Sequence, residues 1–278
     1  VSEGLDALPR GPGGWVRAVG LAHDLDRAAL DAVVSDRPVR VQHRSGALWV
    51  LNSPALAAVG LDPATSDGRL FRADAWLRAR IPHVAPDLTS LHLGRYGVVG
   101  VTDMTPYEDL ADLEPLRTLP QHVVATGGPA LAGAAFPTPL RTGPVKVVVR
   151  DDELPTLDEL VDAIRTAHGA DRPVAVHCVT RAALALTIAA LDVAGSRVGD
   201  RIEHGAVVPP DLREGLVRHG LTVVTQPSFI RDRGDDYLRE VDAVDLPHLY
   251  PCASLPAVAG STDAPYSSAD PWLAVAAA

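Results

Sequence analysis

The chain has 278 residues, 47% hydrophobic and 22% charged, with 25 basic against 35 acidic residues and a formal net charge of −10. That is enough chain for one large core, and an excess of acid argues against nucleic-acid binding through bulk electrostatics. Two cysteines, Cys178 and Cys252, make no disulfide framework and point to a reducing, cytoplasmic setting. No apolar run reaches the length of a membrane helix, and no signal peptide is visible at the N-terminus. The chain opens at Val1 without methionine and closes on "PWLAVAAA", so both ends read as cut.

In chain order, the region before residue 95 is rich in Pro and Gly and less regular, with one valine-rich run at 39–46. From there such runs recur at 96–105, 121–127, 145–150, 173–179, 201–208, 221–227 and 257–264. Near-continuous apolar strands imply burial on both faces, as in a parallel sheet covered by helices. Between them, "TLDELVDAIRTAHG" opens on Thr156 with Glu159 three residues on, a capping-box spacing, and ends at Gly169. "TRAALALTIAALDVAG" and "PPDLREGLVRHG" read as helices ending at Gly195 and Gly220. "RDRGDDYLRE" reads as a charged, mobile loop. Strand then helix, repeated, gives βαβ units and either a doubly wound sheet or a barrel.

Three strand ends carry reactive groups. His177 in "PVAVHCVTR" lies near the end of a buried strand, and alternation puts Cys178 on the opposite face. By itself His177 reads equally well as a satisfied core histidine. His204 in "RIEHGAVV" follows one βα unit later, and Glu203, of opposite parity, is expected to make a structural ion pair with Arg201. Asp263 follows the small-residue strand "AVAGST". A carboxylate there is costly to bury unless it is paired or bound to a cation; alone, it also reads as an Asx-turn before Pro265. Neutral imidazoles on consecutive strand ends are natural divalent-metal ligands. Lys146, the only lysine, sits inside the apolar strand "GPVKVVVR", where arginine would be this chain's usual cation. Its alternative reading is a packed stem whose head pairs with Asp151, Asp152 or Asp263. His43 is expected to be structural, and the other histidines have no motif support.

"VAVHC", "RIEHG", "TVVTQP" and "GSTDAP", in this order on successive units, resemble the amidohydrolase superfamily. The likeness is to its family 3 branch, which includes N-substituted formamide deformylases, and it runs from about residue 25 to the end. The resemblance implies an α/β fold, a (β/α)8 TIM-type barrel of the metal-dependent hydrolase kind. It implies a single domain over 1–278, with about 1–95 as an insertion after the first strand and about 96–278 as strands two to eight. His177, His204, Asp263 and Lys146 would then be metal ligands, the lysine as a carbamate bridging two metals. Asp263 would also take the proton from the attacking water. The implied cofactor is a divalent metal, zinc above others, one or two ions. The implied activity is hydrolysis of a C–N bond, amide or formamide-like, in a small molecule. Arg181, Gln226 and Tyr266 are candidates for substrate contact, with Arg181 reading also as a helix-surface residue. No nucleic-acid or membrane partner is expected; a homo-oligomer is compatible. The chain departs from the family pattern in four places, one of them Arg181, four positions after His177, where this branch often carries an acidic residue. The chain also has no His-x-His, the first-strand signature; the flanking β-sandwich is missing; and only "PCASLP" separates Tyr250 from Ala257, where a helix is expected. The resulting expectation is a barrel open where the first strand belongs, and the alternative function is a catalytically silent barrel with an incomplete metal site.

Overall fold

The computed structural model describes residues 14–21, 24–43, 47–81, 88 and 92–278. The chain divides into two compact units, Val1–Pro86 and Asp87–Ala278.

The first unit is a four-stranded sheet of β1 (Val16–Leu21), β2 (Val39–His43), β3 (Leu48–Leu51) and β4 (Arg69–Phe71), side by side in that order. β1 and β2 run parallel; β2, β3 and β4 alternate antiparallel. Among the described residues three short helices accompany it, α1 (Arg27–Asp31), α2 (Ser53–Ala58) and α3 (Asp74–Arg78). Alternation along β3 sends Val50 into one cluster with Val16, Val39 and Val41, and Trp49 and Leu51 into another with Leu56 and Leu77. Asn52 is fully buried, and its side chain bonds Val39 N, Ala55 N, Val34 O and Arg37 O. It thereby caps α2 and leaves no polar atom of its amide unanswered.

The second unit carries β5 (Gly100–Asp103), β6 (His122–Ala125), β7 (Arg141–Thr142), β8 (Val145–Val148), β9 (Val174–Cys178), β10 (Arg201–His204), β11 (Thr222–Thr225) and β12 (Val258–Gly260). Every ladder is parallel, in the orders β5-β6-β7 and β8-β9-β10-β11-β12. Gly143 N bonds Ala125 O, and Lys146 N bonds Gly127 O at 2.8 Å, so β7 and β8 act as one bent strand joining the two runs. The result is a continuous parallel series in chain order. β5 and β12 end it, and neither has an outer hydrogen-bonded neighbour among the described residues.

Helices α4 (Leu157–Gly169), α5 (Arg181–Ala194), α6 (Pro210–Arg218), α7 (Ser228–Glu240) and α8 (Pro271–Ala277) complete the unit. α4 starts on a complete capping box, with Glu159 N donating to Thr156 Oγ1 and Thr156 N to Glu159 Oε2. It buries Leu160, Val161, Ile164 and Ala167, one stripe at helical spacing. Each large apolar side chain so buried contributes about 1.5–3 kcal/mol. That stripe packs with Val145, Val147, Val174, Val176, Cys178 and Ile202 of the strands and Leu184, Ile188 and Leu191 of α5 into the main core. α6 approaches α5 where Gly215 faces Ile188; a Cβ there would lie 2.7 Å from Ile188 Cγ2.

The segment read as a charged loop is instead helix α7. Its charges face solvent while Phe229 and Tyr237, eight residues apart, pack with Ala206 and Tyr250. This also corrects the expectation of a short helix before β12: the helix follows β11 directly, ahead of Tyr250. No helix among the described residues is long and apolar enough to cross a membrane.

Candidate active site

The polar interior follows from strand alternation. Val145 and Val147, Val174, Val176 and Cys178, and Ile202 all belong to the helix-side core. Lys146, His177, Arg201 and Glu203 occupy the intervening positions and so face the other way. Cys178 is 1% exposed, with Sγ 3.3 Å from Thr187 Oγ1, and burial pushes its thiol up to about 12. It is an inert packing residue.

His204 breaks the alternation. Its φ is +70°, followed by Gly205 at +53°. The left-handed turn swings the imidazole to the interior, where its ring centroid lies 4.4 Å from that of His177, edge to face at 69°. Simple parity would have put His204 on the helix side. Glu203 is interior as parity requires, 3% exposed, accepting from Arg201 Nε at 2.6 Å. The Arg201–Glu203 pair expected from the sequence is present, and Arg201 Nη2 reaches on to Met104 Sδ at 2.9 Å.

Both histidines are neutral. Burial, then the neighbouring His204 and Lys146, holds His177 down to about 3. Burial and then Lys146 hold His204 down to about 4, against the favourable bond to Gln226. Lys146 is 5% exposed. Burial lowers its pKa, and the charges of Glu203 and Asp263 oppose that shift. Asp151 and Asp152 are engaged elsewhere, with Thr180 and Arg150.

Asp263 lies just past the C-terminal end of β12, at φ +54°. Its backbone carbonyl, rather than its side chain, closes the following turn by accepting from Tyr266 N at 2.9 Å. Burial raises its carboxyl to about 6; Lys146 offsets that first, Glu203 adds to it and Arg233 counters it. His177, His204 and Asp263 therefore all occupy the C-terminal ends of parallel strands, with Lys146 electrostatically coupled to each of them. Among the described residues, however, no group of three or more His, Cys, Asp or Glu is gathered closely enough to hold a metal ion. The two imidazoles come together; Asp263 does not join them at ligand range, and its charge is answered by Lys146 instead. As a donor set, two adjacent neutral nitrogens with a half-buried carboxylate and a buried amine nearby fit a divalent ion of the zinc type in part.

The remaining candidates lie around this pair, and Arg181 takes the helix-surface position that is its alternative reading. Arg181 opens α5 and is tied to Asp245, with bonds of 3.0 and 2.7 Å from Nε and Nη2. Gln226 is 2% exposed and turned to His204 Nδ1, 2.8 Å away, instead of lining a cleft. Tyr266 is 44% exposed, beneath the Arg233 guanidinium at 4.1 Å and 5.5 Å from the Phe229 ring. Sequence reasoning missed Arg233 and Ser261, and it placed Glu203 on the wrong face. The i, i+2 spacing of Arg201 and Glu203 was the available signal for the last.

No protein-family model and no curated protein matches the sequence. Solved structures do. One is an uncharacterized metal-dependent hydrolase from Pyrococcus furiosus, TM-score 0.73 at 25% identity, over 99% of this chain and 69% of that one. Another, from Pyrococcus horikoshii OT3 and carrying the same description, gives 0.75 at 23% identity, over 99% and 67%. The fold is that of the metal-dependent hydrolase barrels. Both likenesses span nearly all of this chain.

Proposed function

We propose that this chain is a metal-dependent hydrolase of the amidohydrolase superfamily that cleaves a C–N bond, amide or formamide-like, of a small molecule. The observation that carries the reading is the meeting of two neutral imidazoles, from adjacent strand ends, in an interior that also buries Lys146 and half-buries Asp263. Burying an uncompensated charge costs several kcal/mol, on the order of a large part of a domain's net stability. Lys146 and Asp263 compensate each other only through charge, and a pair so placed at one end of the sheet favours chemistry over packing as its reason.

In this reading His177 and His204 would hold the ion, zinc by donor preference, with Asp263 drawn in to join them and Lys146 supporting it directly or as a carbamate. When bound, the ion would activate water and polarise the scissile carbonyl. Asp263 is the base: its raised pKa suits it to accept a proton from the attacking water and to pass one to the departing nitrogen. Burial keeps His177 and His204 neutral near pH 7, so their lone pairs remain available. Tyr266 with Arg233 would contact substrate, and Arg181 acts through Asp245 on the surface of α5. The deformylase-like branch is the finer proposal, resting on the strand-end motifs.

The test is zinc titration of chelator-treated protein, followed by hydrolysis of a panel of N-formyl and N-acyl amines. About one or two zinc ions per chain and turnover of at least one amide are expected. Stoichiometric zinc with no hydrolysis of any panel member would refute the C–N assignment. No zinc uptake would leave the silent-barrel alternative standing.

A further inference from the structure

Gln226 follows β11, between the strands that lead to His204 and Asp263. It is almost wholly buried, at 2% exposure, and both ends of its amide are engaged. Nε2 donates to Ser261 Oγ at 2.8 Å and leans on the Val224 carbonyl at 3.4 Å. A carbonyl oxygen only accepts, so the amine end of the amide belongs on that side. Oε1 is thereby turned to His204 Nδ1, at 2.8 Å. That oxygen also only accepts, so the bond exists only when the ring proton sits on Nδ1. Nε2, across the ring, then carries the free lone pair.

We propose that Gln226 is a positioning residue that locks His204 in its Nδ1–H tautomer, with Ser261 locking the amide of Gln226 in turn. The chain of bonds crosses three strands, β10, β11 and the end of β12, and so also ties His204 to the segment bearing Asp263. Ring orientation and tautomer are set before any ligand arrives, as is usual for imidazoles that bind metals. That last use rests on the function proposed above; the tautomer itself does not. The arrangement also explains why a glutamine can be buried here: each of its polar ends has a partner.

The experiment is long-range proton–nitrogen NMR of the imidazole rings in 15N-labelled, chelator-treated protein at neutral pH, with His204 assigned by its loss in His204→Phe. The wild type is expected to show one species, protonated on Nδ1. Gln226→Glu keeps an acceptor and should keep that species. Gln226→Met removes both ends of the amide and should let the Nε2–H form appear. Ser261→Ala leaves Gln226 in place, is the mildest change for folding, and should give a mixture as the amide gains freedom to turn. Zinc affinity should fall about 10–100-fold in Gln226→Met, less in Ser261→Ala, and recover in Gln226→Glu. An Nε2–H ring in the wild type would overturn the proposal, as would an unchanged single Nδ1–H species in both Gln226→Met and Ser261→Ala. A tautomer that follows these variants in a protein that takes up no zinc would uphold the proposal while removing the metal-centre reading.

Discussion

The two ends of the same parallel strands handle buried charge in opposite ways. At the N-terminal end of β9, Arg172 is 7% exposed and donates to the carbonyls of Gly143, Leu131, Ala132, Pro144 and Thr126. Nearby Asp200, 2% exposed, accepts from Val174 N and Arg197 N at 2.8 Å and contacts His168 Nε2 at 3.1 Å. Each charge there is saturated by bonds to the fold. At the C-terminal end, buried Lys146 and half-buried Asp263 have only longer-range charge to support them, and two imidazoles stand ring to ring. Saturated charge builds structure; unsaturated charge is free to act on something else.

The largest effect should come at the structural end. Arg172→Met strips a donor from five carbonyls, of which Leu131 O keeps Ala134 N; a buried carbonyl left unsatisfied costs about 1–3 kcal/mol. With some relaxation, a loss of about 4 kcal/mol or more in urea unfolding is expected. A loss within about 1 kcal/mol would mean the two ends do not differ as described.

Next is the opposite end. Lys146→Arg keeps the charge but cannot form a carbamate or act as a neutral amine. It should lower zinc affinity and amide hydrolysis by about 100-fold while changing stability far less than Arg172→Met. Retained metal content and activity would remove Lys146 from the site and make it a packing residue.

Much of this contrast was legible in the sequence. All the valine-rich runs from residue 96 onward are strands, and the strand-end histidines and Asp263 share one end of the sheet because alternation and βα order fix that. β1, β3, β4 and β7 escaped notice because Arg, Gly or Trp interrupts their apolar runs, so that none reads as a valine-rich stretch. α7 was hidden by its charges, since only Phe229 and Tyr237 mark its buried face. The position of His204 could not be read from parity, because one left-handed residue reverses it and nothing but the following glycine hints at that. Hydrogen-bonded partners such as Ser261, 35 residues from Gln226, have no local signature at all.

Gly205 offers a smaller, sharper test. At φ +53°, a Cβ would meet Val223 Cγ1 at 2.4 Å. Gly205→Ala should cost about 1–3 kcal/mol by strain and overpacking together. The same change should move the His204 ring away from His177, visible as altered imidazole shifts in NMR. Unchanged shifts would show that the left-handed pair does not set the position of the ring.

The smallest effect concerns an acid that fits neither end neatly. Asp103 closes β5 and shares the parity of Val101, which packs on the cluster of Leu113, Leu116 and Val123. Its Oδ1 accepts from Thr105 N at 3.0 Å, yet burial dominates and raises its pKa above 3.8. A carboxyl whose folded pKa is raised binds its proton more tightly in the native state than in the unfolded chain. Its contribution is therefore fully present below the unfolded value and is lost as pH rises through the folded one. Above that window the carboxylate weighs against folding. Asp103→Asn keeps an oxygen for Thr105 N and carries no charge to bury. The variant should be slightly more stable than the parent at neutral pH, with the difference shrinking as pH falls toward the unfolded carboxylate value. Thermal melts of the two proteins across acidic to neutral pH measure this. A variant less stable than the parent at neutral pH would show that the charged form of Asp103 is held by bonds outweighing its burial, and would place Asp103 with the saturated charges beside Arg172.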